Sequence, residues 1–313
     1  MSEAQRHVDR ASRSVKAVSV AGRPYRDPED LRLMQALIAE AWRLEGPFVQ
    51  KHVGDVVWRR YHIAEREDEW RIRVWEEDGA VVGWAWLSLP ATLDFQLHPE
   101  RRDLLDSLLD WFEAETVGAQ ELETSTLVDD KETASGLARR GYVRVGPEEP
   151  FFVHLKHDLE EIGEIALPPG FSVRPIRGEE DLERRVAVHR AAWAPSRVTM
   201  ASHRNVMSAW PYRADLDCVV EAPDGSFAAY CLAWLDEANA VGELEPVGAD
   251  PRFARQGLAA GACTSALEQL RRLGAHTCVV YARGDDSYPA PLRLYESIGF
   301  RRYTESVTFR RPG

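Results

Sequence analysis

The chain has 313 residues, 44% of them hydrophobic and 29% charged, with a formal net charge of −12. Its length exceeds a usual single core and favours two domains, while no run approaches the ~20 apolar residues that cross a bilayer and the polar start lacks the apolar core of a secretory signal. The acidic balance argues against a nucleic-acid partner, so the expectation is a cytoplasmic protein with no nucleic-acid and no membrane partner.

Residues 1–15 are polar and are expected to form a flexible N-terminus. A short β-type run begins at Ala17, and Pro28-Glu29-Asp30 opens a helix with Leu31, Met34, Leu37, Ile38 and Ala41 at helical spacing. A second helix is predicted over Val53–Tyr61. Strands follow at Trp70–Trp75 and Ala80–Leu89 around an Asp78-Gly79 turn, then at Thr92–Leu97. His98-Pro99 leads into a helix with Leu104, Leu105, Leu108, Leu109 and Phe112 on one face. A strand at Leu122–Val128, a helix ending in Leu137–Tyr142 and a strand at Phe151–Leu155 complete this half.

The segment 158–170, with Pro168-Pro169-Gly170, reads as a linker. After it the order begins again: a strand at Phe171–Ile176, helices at Glu179–Trp193 and Ser202–Trp210, and a hairpin of Asp217–Glu221 with Phe227–Leu235. A strand, tight turn and amphipathic helix then run from Glu243 to Leu273, followed by a strand at Thr277–Tyr281, a helix at Pro289–Ile298 and a last strand to Phe309. The shared order predicts a tandem repeat of one mixed α/β domain, with halves at 16–157 and 171–313. Cys218, Cys231, Cys263 and Cys278 form no C-x-x-C pair and are expected to be buried free thiols, with no metal site.

The residues Val247-Gly-Ala-Asp-Pro251-Arg-Phe-Ala254-Arg255-Gln256-Gly257-Leu258-Ala259 place a small-residue turn between a strand and a helix. Free backbone N–H groups and the positive end of a helix dipole bind a pyrophosphate without a side-chain charge. This stretch resembles the Q/R-x-x-G-x-G/A signature of the GNAT superfamily of N-acetyltransferases. A second signature, Pro291-Leu-Arg-Leu294-Tyr295-Glu-Ser-Ile-Gly299-Phe300, is similar to the same family's helix and turn. The resemblance covers about 140 residues strongly and the first half weakly.

It implies two tandem GNAT-like domains, each a mixed, mostly antiparallel sheet flanked by helices. It implies acetyl-CoA as cosubstrate, its pyrophosphate on the amides of Arg255, Gln256, Gly257, Leu258, Ala259 and Ala260, and its pantetheine arm paired with Val247 and Ala249 as an added strand. A backbone N–H near Val247 or Gly248 would hold the thioester oxygen. Tyr295 would stand beside the cofactor sulfur as general acid. Two departures are Ala254, where Arg or Gln is usual, and Pro291 with Tyr288, where the family has alanine and often asparagine.

An ammonium has no lone pair, so the acceptor amine needs a base. Period-two alternation puts Glu243 and Glu245 on one strand face; Glu245, nearer the turn, is the first choice and Glu243 the reserve. His189 and His203, the aromatics Trp193, Trp210, Tyr212 and Trp234, and the loop acids Asp285 and Asp286 are weaker candidates for the acceptor side. In the first half, Leu97-His98-Pro99-Glu-Arg-Arg102-Asp103-Leu104 keeps the proline but lacks both small residues, so no CoA is expected there. The function implied is acetyl transfer to a primary amine of a small, cationic acceptor such as an aminoglycoside-like compound, polyamine, aminosugar-thiol or peptide amine. The alternative is a catalytically silent acyl-CoA-binding or scaffold protein.

Overall fold

A computed structural model describes residues 20–146 and 148–313. The stretch 1–15, expected to be flexible, lies outside the described residues.

The first half runs β1 (Ala21–Pro24), α1 (Glu29–Glu45), α2 (Val53–Tyr61), β2 (Trp70–Glu77), β3 (Ala80–Ser88), β4 (Thr92–Leu97), α3 (Leu105–Glu115), β5 (Glu121–Leu127), α4 (Lys131–Arg139), β6 (Val143–Arg144) and β7 (Phe152–His157). The second runs β8 (Ser172–Pro175), α5 (Leu182–Ala192), α6 (Met200–Ser208), β9 (Asp217–Glu221), β10 (Phe227–Asp236), β11 (Val241–Ala249), α7 (Leu258–Arg272), β12 (Thr277–Arg283), α8 (Ala290–Ser297) and β13 (Arg301–Pro312). Helix α2 and strand β4 have the bounds expected from sequence. Helix α5 is shorter than expected because Gly178–Asp181 forms a 3₁₀ turn in front of it.

The strands join in one sheet of thirteen, ordered β1-β2-β3-β4-β5-β13-β7-β12-β11-β10-β9-β8, with β6 beside β13. Its middle comes from an exchange. Strand β7, from the first half, pairs antiparallel with β12 from Cys278↔His157 to Arg283↔Phe152, and with the start of β13. The rest of β13 crosses back and pairs with β5 from Ser306↔Leu127 to Pro312↔Glu121. Each half therefore contributes a strand to the other's sheet, so the division of the chain at 158–170 is not a division of the sheet.

The packing is joint as well. Leu31, Met34, Val53, Trp84 and Trp86 share one apolar cluster with Val241 and Val279, which carries α1 and α2 over the second half's β11 and β12. At Gly54 of α2 the approach is closest: a Cβ there would lie 2.2 Å from Cγ of Trp234. No helix among the described residues is long and apolar enough to cross a membrane.

Both halves open one pair of parallel strands. Strands β11 and β12 pair only from Val241↔Thr277 to Glu243↔Val279, and β4 and β5 only at Thr92↔Glu123 and Leu93↔Thr124. Beyond those residues the strands part, leaving a wedge at the C-terminal end of each pair.

Candidate active site

The second wedge is built by a bulge. On β10, Cys231 faces Val247 and Ala233 faces Leu244, so Glu245 and Pro246 together oppose Leu232. Proline brings no N–H to a ladder and suits this irregular position. The Glu245 carbonyl turns to accept from Trp234 Nε1 at 2.6 Å. Past the bulge, Val247, Gly248 and Ala249 pair with β10 on one side and, among the described residues, have no strand partner on the other, because β12 has left. An extended ligand can add itself to such an edge.

Helix α7 begins directly below. Gly257 is its N-cap with φ +76°, and Arg255 has φ +60°, so the turn needs two left-handed residues in three. Among the described residues no side chain caps the helix, and the first bond of its ladder is Gly261 N to Gly257 O at 3.0 Å. The N–H groups of Leu258, Ala259 and Ala260 thus lie in the first turn, where no intrahelical acceptor exists. A Cβ on Gly257 would meet nothing within 4 Å, so the space in front of the turn is open. Arg252 is tied to Asp250 at 2.8 Å, whereas Arg255 makes no ion pair among the described residues and Gln256 is exposed. These groups fit a pyrophosphate through backbone dipoles, with Arg255 as the cation at hand.

Tyr295, on α8, is 6% exposed and packs edge-on against Phe300 with ring centroids 5.8 Å apart. Burial, with Cys263 and Glu245 nearby, pushes its phenol well above its ordinary value, which keeps the proton in place at neutral pH. Glu245 lines a cavity of ≈ 550 Å³ between the two halves and a second of ≈ 320 Å³ beside it. Burial, and next the neighbouring Glu243 and Asp55, raise its carboxyl well above the usual carboxylate range. Glu243, 1% exposed, lies on neither cavity wall; Asp55 stands at the wall of the larger one and His52 is packed against Glu243. The bulge brings Glu245 to the cavity wall and leaves Glu243 behind it.

The weaker candidates separate. His189 and Trp193 line the smaller cavity, where His189 Nδ1 and Trp193 Nε1 meet the Tyr230 hydroxyl at 2.7 and 2.8 Å. His203 is fully buried 3.6 Å from Asp217, itself paired with the buried Arg185, and lies on neither cavity wall. Trp234 acts through the Glu245 carbonyl, Trp210 stacks under Arg32, and Tyr212 reaches Asp217 at 3.4 Å. Asp285 is paired with Arg283 at 2.7 Å in an exposed loop.

The wall of the larger cavity includes first-half residues that local sequence reading does not find: Lys51, Asp55, Arg59 and Asp94. Lys51 and Arg59 both pair with Asp94, Lys51 at 3.0 Å. Asp55 reads locally as the helix-start partner of His52, and that signal conceals its second position at the cavity.

The first half's own wedge is closed. Pro99–Leu104 is a 3₁₀ turn in place of a free α-helix start, and Arg102 pairs with Glu45 and with Asp130, the latter at 2.9 Å. The space beside them is ≈ 40 Å³. That is room for a few waters and not for a nucleotide.

Residues 185–300 match the sequence profile described as the Acetyltransferase (GNAT) family. Among individual relatives, the chain is 32% identical over 160 residues to a protein of Sanguibacter keddieii named mycothiol acetyltransferase, a match spanning 47% of this chain and 48% of that one. It is 27% identical over 299 residues to the mycothiol acetyltransferase of Actinosynnema mirum, covering 90% and 96% of the two chains. The chain thus spans about half the first relative and nearly all of the second.

In fold it is similar to a tandem GNAT protein from the clavulanic acid biosynthesis pathway, with a TM-score of 0.60 and 17% identity over 94% of this chain and 98% of that one. It is also similar to a GCN5-related N-acetyltransferase from Sphaerobacter thermophilus, with a TM-score of 0.59 and 17% identity over 93% and 95%.

Proposed function

We propose that the second half moves an acetyl group from acetyl-CoA to the primary amine of a small acceptor held in the cavity between the halves. The observation that carries this reading is the uncapped start of α7 next to a bulged strand edge whose first residue, Glu245, stands at the cavity wall. The amides of Arg255, Gln256, Gly257, Leu258, Ala259 and Ala260 hold the pyrophosphate, and the edge at Val247 and Ala249 pairs with the pantetheine arm. Glu245 takes the proton of the acceptor ammonium, directly or through water. The amine nitrogen then attacks the thioester carbon while an N–H near Val247 or Gly248 holds the oxygen. As the C–S bond breaks, Tyr295 gives its proton to the leaving thiolate, and the second proton, shed by the nitrogen as the amide forms, restores the phenol.

A carboxyl with a raised pKa is a better proton acceptor once ionised, and an arriving cation favours the ionised form. The names of the relatives support a mycothiol-related amine as the first acceptor to test, ahead of polyamines and aminoglycosides. Thiol release from acetyl-CoA across such an amine panel decides the matter. Release with at least one amine is expected, whereas cofactor binding without release for any amine would favour a silent binding protein.

A further inference from the structure

The larger cavity joins Glu245 to the first half. Its wall takes in the place where β4 and β5 part, with Asp94 on one strand and Thr124 and Ser125 on the other, and Lys51 and Arg59 from the α2 side. The strand opening of the first half, which no free helix start serves, is thus part of the same space as the candidate base.

Charge is unevenly placed on this wall. Asp94 holds two cations at once: Lys51 Nζ lies 3.0 Å from Oδ1, and Arg59 Nη1 pairs with Oδ2. Arg59 is fixed further by Nη2, which donates to Ser88 Oγ at 2.8 Å, and by its place 4.6 Å from the centroid of the Trp86 ring. Among the described residues Asp94 is the only ion-pair partner of either cation, and Lys51 Nζ has no other acceptor, so two of its three N–H donors stay unused. The three side chains remain 21% to 24% exposed, and all three line the cavity.

The other titratable groups on the wall do not make up the difference. Glu123 is bound to Arg310 at 2.8 Å. Asp55 Oδ2 accepts from the His52 backbone N–H at 2.6 Å, and Asp55 makes no ion pair among the described residues. Burial raises the Asp55 carboxyl to about 8 and lifts that of Glu245 as well, so both keep their protons at neutral pH in the empty site. Burial also pushes His62 down to about 4 and His154 to about 3, which leaves both rings uncharged. On Asp94 burial acts the other way from its partners, and Lys51 and Arg59 outweigh it, holding the carboxyl well below the usual carboxylate range. One positive charge is left over. An uncompensated charge away from bulk water is costly, and an ammonium beside a guanidinium suits the oxygens of a carboxylate or phosphate.

Resting on the reading of Glu245 as base, we propose that the acceptor carries an anionic group, a carboxylate or a phosphate, which Lys51 and Arg59 hold where β4 and β5 part while its amine stands at Glu245. The substrate class is then a zwitterionic amine and not the purely cationic acceptor that the acidic sequence suggests. The first half, without a cofactor of its own, supplies the anion site.

The test uses matched amines on the full chain: O-phosphoethanolamine against ethanolamine, and 4-aminobutyrate against its amide, by thiol release from acetyl-CoA and by calorimetry without it. The anionic member of at least one pair should be preferred roughly 10- to 100-fold in kcat/KM, and the pair that shows it tells phosphate from carboxylate. Lys51→Gln, which leaves Arg59 and Asp94 as a neutral pair, should bring the ratio close to unity. Asp94→Asn enlarges the excess and should raise the ratio, a gain that a merely destabilised protein would not give. No preference in either pair would overturn the proposal. So would a ratio unmoved by Lys51→Gln, for instance an equal fall with both members, which would assign Lys51 to the carboxyls around Glu245. Should no amine release thiol, acetyl transfer fails and calorimetry still decides the anion site: binding of an anionic amine that Lys51→Gln removes supports it, and no such binding overturns it.

Discussion

Replacing Gly54 by alanine tests whether α2 of the first half braces the reaction site of the second. The added Cβ would lie 2.2 Å from Trp234 Cγ, 2.4 Å from Cδ1 and 2.7 Å from Cβ, and Trp234 is fully buried, so helix or indole must move. Overpacking of this kind costs about 1–3 kcal/mol. The indole also donates to the Glu245 carbonyl at 2.6 Å, and losing that bond adds about 1 kcal/mol. Together the loss is about 2–4 kcal/mol, which at roughly 2–4 °C per kcal/mol lowers Tm on the order of 5–10 °C.

The same movement shifts the bulge. A displacement of about 1 Å at a reacting group can cost up to ~10²-fold in rate. Thermal denaturation and the thiol-release rate measured on one preparation check both effects. A Gly54→Ala protein with wild-type Tm and rate would show that the contact between the halves is not what holds Glu245.

Tyr295→Phe should slow turnover by roughly 10² to 10⁴ if the phenol protonates the thiolate, with little change in stability; an unchanged rate removes it from the mechanism. Gly257→Ala should lower Tm and weaken CoA binding, because alanine in a left-handed cap costs roughly 1–2 kcal/mol even where its Cβ meets nothing; stabilisation instead would show that φ is not held positive. Glu243 is pushed up from 4.5 to about 8, so the folded chain binds more protons than the unfolded one between those values. Its contribution to stability is present below the unfolded value and is lost as pH rises through about 8, by linkage a loss on the order of a few kcal/mol. Urea unfolding at pH 5 and pH 8.5 should therefore show a steeper fall for the wild type than for Glu243→Gln, and equal slopes would contradict the raised carboxyl.

Much of the element order is legible in the sequence because the patterns are local. Val53–Tyr61 and Thr92–Leu97 carry full helical and strand signals, and both have the expected bounds. The motif around Gly257 reads clearly because its chemistry lies in consecutive residues. Hidden instead is what depends on distant pairing. Phe152–His157 says strand, yet nothing in its alternation says that β12, more than a hundred residues on, is the partner. The bulge at Glu245–Pro246 decides which of two glutamates reaches the cavity, and strict alternation treats them alike. Arg102, at the corresponding turn of the first half, is held by Glu45 and Asp130, far from it in sequence.

The account rests on one open helix start in the second half and a closed one in the first. Calorimetric titration of the full chain with CoA measures this most directly. One equivalent per chain, weakened by Gly257→Ala and unchanged by Arg102→Ala, is the predicted result. Two equivalents, or no binding at all, would contradict it.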